Sequence, residues 1–126
     1  MGSLDFTCPQ RARTAEEAFT LAVSGARTVY GSRGETGTIA EKRSWVPIDL
    51  VPTFDRGTPG RIRMLVRPDE PDARLAYARE YAFTLCYHED ERITDTDGPA
   101  GCFTLGPPGT DGLTDFLFFG WATTPG

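Results

Sequence analysis

Apolar residues recur at helical spacing in two stretches of this chain. Behind Thr14-Ala15-Glu16-Glu17, the residues Ala15, Ala18, Phe19, Ala22, Val23, Ala26, Val29 and Tyr30 keep the i, i+3, i+4, i+7 spacing of one helical face. The Thr14 hydroxyl can accept from the N3 amide while Glu17 reaches back, so a capping box marks the start. Gly31 suits the left-handed position that ends a helix. The second stretch opens at Pro71, where a missing N–H does no harm. Its stripe of Leu75, Ala78, Ala82, Leu85 and Cys86 is widened by Tyr77, Tyr81 and Phe83, which predicts the more buried helix.

Elsewhere the period is two. Residues 36–46 read as a strand with impure alternation, Ile39 and Trp45 sharing a face with Glu41 and Arg43, as on a sheet edge. Pro47 and Pro52 then interrupt pairing. After a loop over 55–60, Ile62, Met64 and Val66 alternate with Arg61 and Arg63 as a half-buried strand. Gly101–Leu105 and Asp115–Thr123 read as two more strands around the turn residues Gly106-Pro107-Pro108-Gly109. Phe116, Phe118 and Ala122 lie on one face of the last strand and Leu117, Phe119 and Trp121 on the other, so both faces must be covered.

These elements predict one α+β domain over 1–126. It is two-layered, of order αββαββ, with a mainly antiparallel four-stranded sheet and both helices on one face. The open face then calls for a cover. A homodimer packing sheet on sheet is the simplest, a bound apolar ligand the next. The order also fits an echo in the sequence. Ala18-Phe19-Thr20-Leu21 returns as Ala82-Phe83-Thr84-Leu85 at an offset of 64, and Gly34 and Gly37 fall on Gly98 and Gly101. An internal duplication would divide the chain into pseudo-repeats 10–67 and 70–124. Shared packing demands on buried helix faces account for the same echo.

Composition narrows the classes. With 39% hydrophobic and 25% charged residues the chain is globular, and its net charge of −5 disfavours nucleic acid as a main partner. Arginine outnumbers lysine twelve to one. No basic and apolar leader opens the sequence and no stretch approaches a membrane span, so a cytoplasmic protein without a membrane partner is expected. Cys8, Cys86 and Cys102 are scattered, as reduced buried thiols would be.

The strongest candidate for a site is the glycine-rich loop Gly31-Ser32-Arg33-Gly34-Glu35-Thr36-Gly37. Its amides could converge on an anion, with Arg33 adding charge. The loop runs from helix to strand and lacks a Gly-Lys-Ser/Thr, so it also reads as a plain capped connection. The ligand set this predicts is Tyr30, Arg33, Gly34, Gly37 and Thr38, joined by Gly98 and Gly101 of the matching second loop. Tyr30 or Trp45 could stack on a ring.

Other constellations are weaker. Cys102 could act as a nucleophile with His88, the lone histidine, as base. Asp90, Glu91, Asp95 and Asp97 could hold a divalent metal, although Asp-Gly is ordinary turn chemistry. No catalytic residue, cofactor or metal is therefore assigned.

Three segments, Thr36-Gly37-Thr38-Ile39-Ala40-Glu41-Lys42 after Tyr30-Gly31, Gly98-Pro99-Ala100-Gly101-Cys102, and Phe118-Phe119-Gly120-Trp121-Ala122, together resemble a group of small uncharacterised proteins of bacteriophages and bacteria. The resemblance carries no activity or catalytic residue. It implies a phage or prophage origin and a role in modulating the host or its defences. The leading expectation is a non-catalytic accessory protein that binds a small anionic ligand or a host protein. The alternatives are a small enzyme using Cys102 and His88 or an acidic metal site, or a virion or assembly protein.

Overall fold

A computed structural model describes residues 2–31, 37–49, 71–88 and 90–124. The elements are β1 (Gly2–Ala12), α1 (Ala15–Tyr30), a 3-10 turn (Ile39–Glu41), β2 (Trp45–Pro47), α2 (Pro71–Tyr87), β3 (Ala100–Thr104) and β4 (Thr114–Thr124). The fold is α+β: four strands form one mixed sheet of order β1-β4-β3-β2, flanked by two helices. β4 is antiparallel to both β1 and β3, while β2 runs parallel to β3.

Both helices form where the spacing puts them. The Thr14 hydroxyl accepts from the Glu17 amide at 3.1 Å. Glu16 and Glu17 fill the first turn, where acids favour the helix dipole. Gly31 closes α1 with φ 90° and gives its N–H to the Arg27 carbonyl, although its ψ of 177° is extended rather than left-handed helical. The expected strands near 101–105 and 115–123 appear as β3 and β4, each starting one residue early.

Three expectations are corrected. First, the chain starts with an eleven-residue strand, so the described order is β, α, β, α, β, β rather than helix first. Leu4, Phe6 and Cys8 alternate with Asp5, Thr7 and Pro9, a period-two signal interrupted by one proline. Among the described residues β1 pairs with β4 alone and stands at the edge, where Pro9 is tolerated.

Second, most of 36–46 is not a strand. Thr38 caps the Ala40 amide at 3.2 Å, and the Lys42 N–H returns to the Ile39 carbonyl at 2.9 Å, curling the segment into the 3-10 turn. Only Trp45–Pro47 pairs, at the other end of the described strand order. Ser44 accepts from the Ala100 amide and Ile48 donates to the Cys102 carbonyl, so Pro47 turns its nitrogen away from β3. The expected strand over 61–66 and the loop at 55–60 lie outside the described residues.

Third, the helices lie on opposite faces of the sheet. Ala18, Ala22 and Val23 of α1 pack with Cys102, Phe116 and Phe118. Ala78, Ala82 and Cys86 of α2 pack with Phe103, Leu117 and Phe119. Neighbouring residues of one strand thus belong to different cores. The topology explains why. β1, β2 and β3 all run one way, and α1 carries the chain across the sheet from β1 to β2 while α2 carries it back to β3. Two crossovers in opposite directions can share the right hand only on opposite faces. The doubly apolar β4 is therefore covered within the chain.

The 64-residue echo does not extend to equivalent surroundings. Ala18 and Ala82 are both fully buried, but Phe19 is half-buried and Phe83 is 53% exposed. Gly37 precedes the 3-10 turn, while Gly101 sits inside β3.

Candidate functional site

The segment Gly37–Lys42 ties three parts of the molecule together. Gly37 adopts φ 71°, which a side chain would resist. Its N–H points at both the Thr123 carbonyl, 2.9 Å, and the Glu41 Oε2, 2.6 Å. Glu41 Oε1 accepts from the Thr123 amide at 3.0 Å. One carboxylate thus clips the start of the segment to the end of β4. Ile39 and Ala40 are buried beneath it, Ile39 in the α1 core.

Lys42, the only lysine of the chain, is 1% exposed. Its Nζ donates to the carbonyls of Thr96 and Gly98, both at 3.0 Å, and at 3.4 Å to that of Asp95. An ammonium has three donors, and all three are spent on one turn. Burial pulls its pKa below the usual 10.5, while the negative charges of Glu41, Asp95 and Asp97 and the Cys86 thiol oppose the shift. Sequence reasoning missed this residue. The available signal was its singularity: one lysine in a chain that otherwise uses arginine.

Among the described members of the predicted ligand set, the amides of Gly37 and Gly98 are already engaged. Gly98 donates to the Asp95 carbonyl at 3.0 Å, and its own carbonyl is held by Lys42. Gly101 lies under the Phe119 ring, where a β-carbon would collide with it. Thr38 spends its hydroxyl on the 3-10 turn. Tyr30 is exposed at the end of α1. Arg33 and Gly34 lie outside the described residues. Trp45 is half-buried against the α1 core.

The catalytic alternatives fare as follows. Cys102 points into the α1 core, whereas His88 follows α2 on the other side of the sheet. Burial pushes the Cys102 and Cys86 thiols up to about 12, far from the thiolate a nucleophile needs. Asp90 is engaged by Arg92, whose guanidinium approaches to 2.7 Å and holds the carboxyl below its usual range. Asp95 accepts from the Asp97 amide at 3.0 Å. Among the described residues no His, Cys, Asp and Glu group could hold a metal ion. No described helix is long and apolar enough to cross a membrane.

One concave surface combines shape with charge. A groove of about 610 Å³ runs along α1 beside the Lys42 segment. Its floor is Phe19 and Val23, and Thr20, Ser24 and Thr28 line the helix wall. Arg27 and Arg43 supply two guanidiniums, Lys42 turns its ammonium away to the 95–98 turn, and among the described residues no acid contributes to the lining. The Arg27 Nε donates to the Ala40 carbonyl at 3.3 Å, which aims its two terminal nitrogens elsewhere. Among the described residues neither Arg27 nor Arg43 has a carboxylate partner.

Fold and groove together define an α+β protein whose described residues form one mixed sheet between two helices, with a cationic cleft on the α1 side. Comparison with protein-family models, curated proteins and solved structures finds no match for the chain.

Proposed function

We propose that this is a non-catalytic binding protein that takes a small anionic ligand in the groove between α1 and the Lys42 segment. One observation carries the reading: two guanidiniums without carboxylate partners among the described residues flank a cleft in a chain of net charge −5. Guanidiniums without a carboxylate partner are stabilised by an incoming anion, and the arginine fork binds carboxylate or phosphate through two parallel hydrogen bonds. The site moves from the amides of the glycine loops to the side chains beside them. Tyr30 stands one helical turn beyond Arg27, at the end nearest the Gly31–Gly37 loop. A cytoplasmic setting, a phage or prophage origin and a role in modulating the host belong to the same proposal.

Titration calorimetry with phosphate, citrate and nucleotides tests it. Arg43→Ala, an exposed residue, should leave the melting temperature unchanged and weaken the anion about tenfold or more. Absence of binding to the wild type, or equal binding to the variant, would refute the site.

A host protein as partner is the second reading, favoured by a different surface. Phe83 and Tyr87 stand 53% and 55% exposed on α2, their rings 4.2 Å apart, with Trp121 edge-on to Tyr87. On that reading Phe83→Ala abolishes partner binding and leaves anion binding intact.

A further inference from the structure

We infer that the ligand of this groove is a phosphate monoester carried on a hydroxylated, sugar-like body. The inference rests on the anion-binding reading above and adds the chemistry of the rest of the ligand. It follows from which groups on the two walls still have protons to give.

On the helix wall, Thr20 donates its hydroxyl proton to the Glu16 carbonyl at 3.1 Å, and Thr28 donates to the Ser24 carbonyl at 3.0 Å. A hydroxyl has one proton and two lone pairs, so both threonines offer only acceptors to the groove. On the other wall Lys42 has spent its three protons on the 95–98 turn and has none to give a ligand. Among the described residues the protons left to meet an anion are those of the Arg27 and Arg43 guanidiniums, with the Ser24 hydroxyl between the two threonines.

A ligand that satisfies both walls is bipolar in hydrogen bonding. One end accepts from guanidiniums, and the body donates to threonine oxygens. The two guanidiniums at the cleft make a ligand ammonium unfavourable, so the donors are neutral hydroxyls. The terminal anion meets two guanidiniums, which matches the dianionic, three-oxygen face of a phosphate monoester better than a single carboxylate. Phe19, fixed edge-on against Phe118 with ring centroids 5.5 Å apart, and Val23 give the C–H face of a sugar an apolar floor. Free sugar phosphates and nucleotides share this chemistry.

The test titrates the full chain with ribose 5-phosphate, adenosine monophosphate, adenosine and inorganic phosphate. Ribose 5-phosphate should bind about tenfold or more tightly than inorganic phosphate, its hydroxyls adding hydrogen bonds worth a few-fold each. Thr20→Val with Thr28→Val keeps the shape and removes the acceptors. The pair should cost the sugar phosphate about tenfold and leave inorganic phosphate unchanged, with the ligand-free melting temperature as the control for folding. Adenosine monophosphate binding more tightly than ribose 5-phosphate identifies a nucleotide, and equal binding identifies a sugar phosphate; both support the inference. Inorganic phosphate or citrate binding as well as ribose 5-phosphate, adenosine binding as well as its phosphate, or an unaffected double variant overturns it while anion binding stands. If no anion binds at all, the reading beneath it falls as well.

Discussion

Lys42 does work that no arginine in this chain could take over. Three carbonyls converge on one point from a single turn, and a tetrahedral ammonium meets them where a planar guanidinium would not. Lys42→Met keeps the aliphatic stem and strips the donors, so it should destabilise the protein by about 3 kcal/mol in denaturant unfolding. Lys42→Arg should not restore the loss. The buried thiols set a second residue-scale expectation. Cys86 and Cys102 keep their protons in the folded state to about pH 12, while in the unfolded chain they lose them near 9.0. The unfolded state therefore binds fewer protons above pH 9, and stability falls as pH rises. Lys42 acts with the opposite sign, since its folded pKa lies below 10.5 and the unfolded chain holds that proton longer. The loss should be steepest above pH 10.5, where the opposing contribution has ended. Unfolding midpoints between pH 8 and 11.5, compared with a Cys86→Ala, Cys102→Ala variant whose curve should be flatter, check this.

At the scale of elements, the helices were legible because an amphipathic helix announces itself within a few turns. The α1 face is buried from Ala18 through Val23 as the spacing demands, and only Val29 and Tyr30 at its end emerge. β1 was legible in Leu4, Phe6 and Cys8 but obscured by Pro9, whose acceptability depends on being at an edge, a fact of the sheet and not of the strand. The segment after Gly37 failed as a strand prediction because Thr38 and Glu41 satisfy its amides locally and through Thr123, an 82-residue separation no pattern reports. In the second loop a glycine also answers a packing demand. Gly101 is small because Phe119 needs the space, so Gly101→Ala should destabilise β3–β4 packing by about 1–3 kcal/mol, measurable by thermal unfolding. The lining of the proposed groove was not legible, because Thr20, Ser24, Arg27 and Thr28 meet Arg43 only in the folded chain.

For the whole molecule, the doubly apolar β4 decides the layering. Phe116 and Phe118 face one helix, Leu117 and Phe119 the other, and each buried phenylalanine contributes about 1.5–3 kcal/mol. A dimer closing an open sheet face loses its motive, because neither face is open. Light scattering should return the 13.8 kDa of a single chain. A particle of twice that mass would instead implicate pairing through the eleven-residue β1 edge.

The sequence by itself determined where the helices start, where β3 and β4 run, and that both faces of β4 must be dry, since those are consequences of local spacing and of hydrophobicity alone. The tertiary structure decided the rest. Whether two helices share a sheet face depends on strand order and crossover hand, and whether a lysine is buried depends on a turn some fifty residues away. Whether a threonine offers a proton or a lone pair depends on the carbonyl it has already met. Those are relations between residues distant in the chain or in three-dimensional register, and they are what place two guanidiniums along one groove.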